Sequence, residues 1–245
     1  MNTDISIFPI FDQAAPGVWT DFMRIRAATM DVNYRLPLSR DEIEHYMAEY
    51  KSDWRKKSFN FAFGAYYDMK MIGFIRGDCV SGTATVNCLY VHPTYQGARI
   101  GRRLLASAER AVAYSTNYVE LVSLSRAEKF YQHNGYVSLL NTNKYTKNIR
   151  GGGHCAAVPL FRCSPRITRA CTQISTDFDA GLVGRGRCPA FMYVDADGRP
   201  AGFAIIGPDN QPLVRSNSDW ARRCLDRECN GFIQHQISRP ARRGR

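Results

Sequence analysis

A β-branched run, TATVNCLYV (Thr83–Val91), passes through HPTYQGAR directly into IGRRLLASAERAV. In the last stretch Ile100, Leu104, Leu105, Ala108, Ala111 and Val112 recur at helical spacing, with Arg102, Arg103, Glu109 and Arg110 on the opposite face. No other feature constrains the fold as much as this succession of strand, small-residue turn and helix. Such a junction leaves backbone N–H groups unpaired at the positive end of the helix, a geometry suited to a pyrophosphate.

The neighbouring segments give this junction a setting. Residues 5–11 read as a short strand and 16–30 as a helix, with Val18, Phe22, Ile25 and Ala28 on one face. Ser39 and Glu42 form a capping box for a second helix, whose apolar stripe is Ile43, Tyr46, Met47 and Tyr50. Residues 59–67 and 71–79 make a hairpin across Asp68-Met69-Lys70, and Thr83–Val91 extends it to a three-stranded meander. Beyond the junction, 118–124 is a strand and 125–133 a short helix ended by Asn134-Gly135. A final strand starts at Tyr136. The predicted order is β-α-α-β-β-β-α-β-α-β.

Charge marks a division. The chain carries a formal net charge of +11. Up to residue 148 there are 18 basic and 14 acidic residues; from 149 onward there are 15 and 8, and all 15 are arginine. That shift and the Gly151-Gly152-Gly153 run place a boundary near 148–153. The domains expected are 1–148, then 154–235 as an accessory α/β domain, with 236–245 as a basic tail. Eight cysteines lack any CxxC pair, so no metal site is expected, and with no secretory leader in MNTDISIFPIFDQ the thiols should be free. No apolar run is long enough to span a bilayer, so a cytoplasmic protein with no membrane partner is expected.

Two stretches in the first part carry a family likeness. LYVHPTYQGARIGRRLL resembles the coenzyme-A-binding segment of the GNAT N-acetyltransferases, whose loop reads Arg/Gln-x-x-Gly-x-Gly/Ala; here it is Gln96-Gly97-Ala98-Arg99-Ile100-Gly101. About 25 residues on, SRAEKFYQHNGYV resembles the same family's Ala-x-x-Phe-Tyr-x-x-x-Gly-Phe/Tyr element through Ala127, Phe130, Tyr131, Gly135 and Tyr136. MIGFIRG matches the family's third strand, and the resemblance covers about residues 5–148. Two departures stand out. Arg99 holds the position of the first motif glycine and is expected to fit with a negative φ. Leu124 stands where the family often has asparagine.

The resemblance implies an α/β (mixed α+β) fold, with a mostly antiparallel central sheet and flanking helices. It implies acetyl-CoA as co-substrate and an amine acceptor, either a small molecule or a protein, attacked directly by the amine. Backbone groups of Leu89, Tyr90 and Val91 would pair with the pantetheine, and residues Gln96, Gly97, Ala98, Arg99, Ile100 and Gly101 would hold the pyrophosphate. Arg102 and Arg103 would add phosphate contacts. Tyr131 is the implied general acid, since a phenol with pKa near 10 stays protonated at neutral pH. Glu120, on the following strand, is the candidate base, with His92 a lesser one. TATVNCLYV itself holds no carboxylate.

The second part lies outside the likeness. PAFMYVDADGRPAGFAII reads as a hairpin turning at Asp197-Gly198, and it echoes FAFGAYYDMKMIGFI of the first part. That echo points to a degenerate GNAT-like half without a second coenzyme loop. An exposed strand edge there would offer a pairing surface for a homodimer. Two other functions stay open at this stage. The charge allows a nucleic-acid-binding module, although core-like aromatic patterns and the lack of an RNA-binding signature disfavour it. Arg99 and the missing base allow a catalytically inactive acyl-CoA sensor.

Overall fold

The computed structural model describes residues 5–11, 16–46, 48, 60–80, 83–113, 116–139, 142–149, 156–159, 165–176, 178, 183, 188–194 and 200–238. The Gly151–153 joint, Tyr50, the Asp197-Gly198 turn and the end of the basic tail lie outside these residues. The chain separates into two compact units, Met1–Arg150 and Gly151–Arg245.

The first unit is a seven-stranded sheet in the order β1-β2-β3-β4-β5-β7-β6. Its elements follow the chain as β1 (Ser6–Pro9), α1 (Pro16–Tyr34), α2 (40–46), β2 (Asn60–Tyr67), β3 (Lys70–Val80) and β4 (Thr83–Val91). Then come α3 (Ile100–Val112), β5 (Tyr118–Val122), α4 (Glu128–His133), β6 (Val137–Ser138) and β7 (Lys144–Asn148). The single parallel pair is β4 with β5; the others are antiparallel. The capping box of α2 is made as its sequence requires: the Ser39 N–H donates to Glu42 Oε2 at 2.8 Å, and the Glu42 N–H to Ser39 Oγ at 3.2 Å.

Two boundaries differ from the sequence reading. Helix α1 runs one turn past Met30, to Tyr34, and stops where Arg35 enters the left-handed region at φ 53°. The expected last strand is a hairpin, β6 and β7. The Thr142 N–H and hydroxyl both bond the Leu139 carbonyl, at 3.0 and 2.7 Å, a side-chain-assisted reversal that alternation alone does not reveal.

The sheet is covered on both faces. On one, Trp19, Phe22 and Ile25 of α1 pack on Ala62, Tyr66, Met71 and Phe74, with Phe22 and Phe74 stacked at 4.1 Å. On the other, Ile100, Leu104, Leu105, Ala108, Ala111 and Val112 of α3 are buried against β2, β3 and β4. A clamp ties α3 to the far strands. Glu109 accepts hydrogen bonds from the Tyr136 hydroxyl at 3.0 Å and from Lys147 Nζ at 2.8 Å.

The sheet is not closed along its whole length. Strand β4 pairs with β5 only from Thr83 to Val86, opposite Tyr118 to Leu121. At that point the β3–β4 register shifts, because Arg76 pairs Cys88 while Gly77 pairs Val86, leaving Asn87 as a bulge. Asn87 Nδ2 donates to the buried Asp78 carboxylate at 2.7 Å. The bulge bends the rest of β4 away from β5, so residues 87–91 keep an open edge.

The second unit has a four-stranded antiparallel sheet in the order β11-β10-β9-β8. The elements are β8 (Ala156–Pro159), α5 (Pro165–Ile174), β9 (Ala190–Val194), β10 (Pro200–Ile206), β11 (Pro212–Ser216) and α6 (Asp219–Ser238). Phe191, Phe203, Leu225 and Phe232 are buried in its core. Apart from α2, its succession of strand, helix, three strands and helix matches that of β1 to α3, with the same neighbour order.

No described helix is long and apolar enough to cross a membrane. The described cysteines are free thiols, and no cluster of metal-ligating side chains occurs among the described residues.

Gly77 permits the close approach at the bulge. A Cβ there would lie 2.1 Å from the Thr85 carbonyl oxygen and 2.4 Å from Phe61 Cζ. Gly77→Ala should therefore destabilise the first unit by about 1–3 kcal/mol. The check is a lower urea midpoint with unchanged slope.

Candidate active site

The parting of β4 from β5 opens a cleft of about 810 Å³, within the range of ligand pockets. One wall is the free edge of β4. The His92 N–H bonds the Ile72 carbonyl at 2.8 Å, so even-numbered residues at this end of β4 turn their main-chain groups toward β3. By the alternation of an antiparallel ladder, those of Leu89 and Val91 face the cleft. The Val91 carbonyl already accepts from Gln96 Nε2 at 3.0 Å and Thr29 Oγ1 at 3.2 Å. Leu89 retains both its N–H and carbonyl for whatever fills the gap.

The next wall is the turn into α3. Among the described residues, the N–H groups of residues 97 to 102 have no intramolecular partner, whereas those of Tyr95, Gln96 and Arg103 do. These free donors sit at the positive end of a thirteen-residue helix. Two glycines shape the turn. Gly97 has φ 84°, and Gly101 leaves room for the Phe130 ring, whose atoms would lie 3.3 Å from an added Cβ. Ile100, buried between them, anchors the turn to the core.

The opposite wall comes from β5 and α4. Tyr131 is 92% buried, packed edge-on against Phe130 at 5.0 Å and Tyr136 at 5.8 Å. Its hydroxyl has no hydrogen-bond partner among the described residues. Burial pushes the phenol well above its ordinary pKa, and the neighbouring Cys88, Tyr34 and Tyr90 add to the rise. Burial likewise pushes the Cys88 thiol up to about 11, with Arg76 and Arg26 pulling the other way. Cys88 is therefore a neutral thiol at physiological pH.

Leu89, Tyr90, Val91, Gln96, Gly97, Arg99, Ile100, Gly101, Arg102 and Tyr131 thus line one cleft. Three other candidates from the sequence do not line it. Ala98 is exposed beside it. Arg103 points to the other side of the helix, where Nη2 donates to the Ile5 carbonyl at 2.6 Å. Glu120 is exposed on β5, paired opposite Thr85 and Thr146. His92 is also outside the lining; its buried Nδ1 has no partner and its pKa is lowered by burial and by Arg24. The sequence reading did not single out Thr29, Asn33, Asn87 or Arg126, which all line the cleft. They come from the end of α1, from a bulge and from a 3₁₀ turn, and only the tertiary fold brings them together. Among aromatics of the first two helices, Phe22 is core, Tyr34 lines the cleft, and Tyr46 lies under the Arg26 guanidinium at 3.7 Å.

Arg99 departs from expectation. Its φ is 58° with ψ 15°, left-handed rather than negative, a conformation that glycine reaches without strain. That conformation costs an L-residue about 1–2 kcal/mol. Arg99→Gly and Arg99→Ala remove the same charge, but only glycine relieves the strain. The glycine variant should be the more stable by about 1 kcal/mol, read as the difference between their thermal midpoints.

Comparison with known proteins bears on this first unit. Residues 59–138 match the family model described as an acetyltransferase (GNAT) domain. No curated protein matches the chain. Solved structures that resemble it include the PaiA N-acetyltransferase of Thermoplasma acidophilum, in complex with coenzyme A, at 21% identity. That likeness covers 59% of this chain and 99% of the other, with a TM-score of 0.47. A GNAT-family acetyltransferase of Staphylococcus aureus Mu50 is 14% identical over 60% of this chain and 99% of its own, with a TM-score of 0.49. An acetyltransferase of Streptococcus agalactiae 2603 is also 14% identical over the same shares, with a TM-score of 0.47. The likeness to a GNAT-family acetyltransferase domain is carried by residues 59–138 of this chain.

Proposed function

We propose that the first unit is an acetyl-CoA-dependent N-acetyltransferase in which a free amine attacks the thioester directly. One observation carries this reading: a strand edge, a run of free N–H groups and a buried phenol share a single cleft. Acetyl-CoA supplies an acyl group activated as a thioester. The chain's own residues do the rest. The open edge of β4 can accept an extended amide chain as an additional strand, through the N–H and carbonyl of Leu89. The free N–H groups of residues 97–102, with Arg99 and Arg102 beside them, suit the charge of a diphosphate. The Leu89 N–H, or one near it, offers a fixed donor where negative charge develops on the acyl oxygen.

Proton transfer falls to Tyr131. As the amine nitrogen bonds to the acyl carbon and the carbon–sulfur bond breaks, the sulfur needs a proton and the nitrogen must lose one. Tyr131 donates its hydroxyl proton to sulfur and is reprotonated from solvent; the amine proton leaves to water. A phenol kept neutral by burial is suited to this and unsuited to act as a base. The cleft lining contains no carboxylate or imidazole among the described residues, so the amine must reach it as the free base.

The second unit, we infer, is a GNAT-like half, matching β1 to α3 in connectivity. Ser216 is followed within three residues by Asp219, the start of α6. No room remains between β11 and α6 for a phosphate-binding turn like the one before α3.

Acetyl-CoA in excess should raise the thermal midpoint of the protein, by linkage of binding to folding. No shift, together with no thiol release for any amine, would refute the enzyme. Tyr131→Phe should lower kcat by about a hundredfold while leaving KM for acetyl-CoA little changed. The pH dependence has a definite sign. A raised phenol pKa keeps Tyr131 protonated below its ordinary value of about 10, so its ionisation should produce no alkaline fall in kcat below that pH. The stability from its burial is likewise complete below about pH 10 and is lost as pH climbs through the folded value.

A further inference from the structure

The part of the cleft nearest Tyr131 has a definite electrostatic character. Tyr34 at the end of α1 and Cys88 and Tyr90 on β4 act on the Tyr131 phenol, and Asn33 and Arg126 line the same cleft. No aspartate, glutamate or histidine lines the cleft among the described residues. Two of its wall groups feel cationic side chains: Arg26 acts on Tyr90 and Cys88, and Arg76 on Cys88. Asp78, a carboxylate behind the β4 wall, is buried and accepts the Asn87 amide.

An amine already protonated would exchange water for phenols and guanidinium groups with no counter-ion, a costly transfer. A polyamine or aminoglycoside would meet that penalty at several ammonium groups. Affinity must then come from elsewhere on the acceptor, and Arg126 is placed to provide it. Its side chain is exposed at the cleft, and one of its five N–H donors, on Nη1, is held by the Asn33 carbonyl at the end of α1. That bond orients the planar guanidinium and leaves its other donors for a carboxylate.

We propose that the acceptor is a small amine that carries its own carboxylate beside the amino group, an amino acid with both ends free, and that Arg126 holds the carboxylate. This assignment rests on the acetyltransferase reading. Arg126 acts by binding, and the Tyr34 and Tyr90 hydroxyls flank the site.

The full-length protein would be assayed for thiol release from acetyl-CoA with three sets of acceptors: free amino acids, the same amino acids as carboxamides, and amines without a carboxylate, including spermidine. The free acids should give kcat/KM about tenfold or more above their carboxamides and above spermidine. In Arg126→Gln, KM for the free acid should rise about tenfold while KM for acetyl-CoA holds, and Arg126→Lys should restore part of the loss. Faster turnover of spermidine or of the carboxamides would overturn the assignment and leave the enzyme standing. So would a rise in KM for acetyl-CoA in Arg126→Gln, which would make Arg126 a coenzyme contact. Stabilisation by acetyl-CoA with no release for any free amino acid overturns it as well. Absence of both stabilisation and release for every amine defeats the acetyltransferase reading itself.

Discussion

Everything in the first unit follows from one unmade set of hydrogen bonds. Buried main-chain donors and acceptors are almost always paired. Strand β4 nevertheless leaves β5 after Val86 and runs on with an open edge. The bulge at Asn87 causes the departure, Gly77 permits it, and Asp78 fixes it through the Asn87 amide. The exposed edge is left beside free N–H groups of the α3 turn and a phenol without a partner. Three unsatisfied features in one cleft point to a ligand that satisfies all of them.

The sheet meander, the amphipathic α3 and the turn leading into it were legible in the sequence because each depends on local periodicity. The strand runs Phe61 to Ile75 alternate around a short turn, and the apolar face of α3 repeats from Ile100 to Val112. The position of Tyr131 was legible through its motif. The bulge was not, since TATVNCLYV reads as an uninterrupted strand and its slip of one residue is decided by Gly77 on the neighbouring strand. The left-handed Arg99 was also invisible: arginine predicts a negative φ, and only the demand of the turn between Gly97 and Ile100 overrides it.

Side-chain direction was the other limit. Arg102 and Arg103 are adjacent on one helix, yet the first faces the cleft and the second bonds the Ile5 carbonyl. A rotation of 100° per residue separates them, and the sequence does not say which side the ligand occupies. Glu120 shows the same in a strand, where alternation puts it on the exposed side with Tyr118 and Val122. Arg126 and Asn33 are 93 residues apart in the chain and are joined only where α1 ends against the turn after β5.

The Glu109 clamp has a mechanical meaning. Helix α3 lies on β2, β3 and β4, whereas Lys147 belongs to β7, which is paired to β5. Through Glu109 the helix therefore grips both banks of the gap and serves as a strut across a notch. The width of the notch is set by the folded protein before anything enters. With the carboxylate only 15% exposed, that strut is sheltered from bulk water and salt. The ion pair joins the two sides of the gap with no ligand's help.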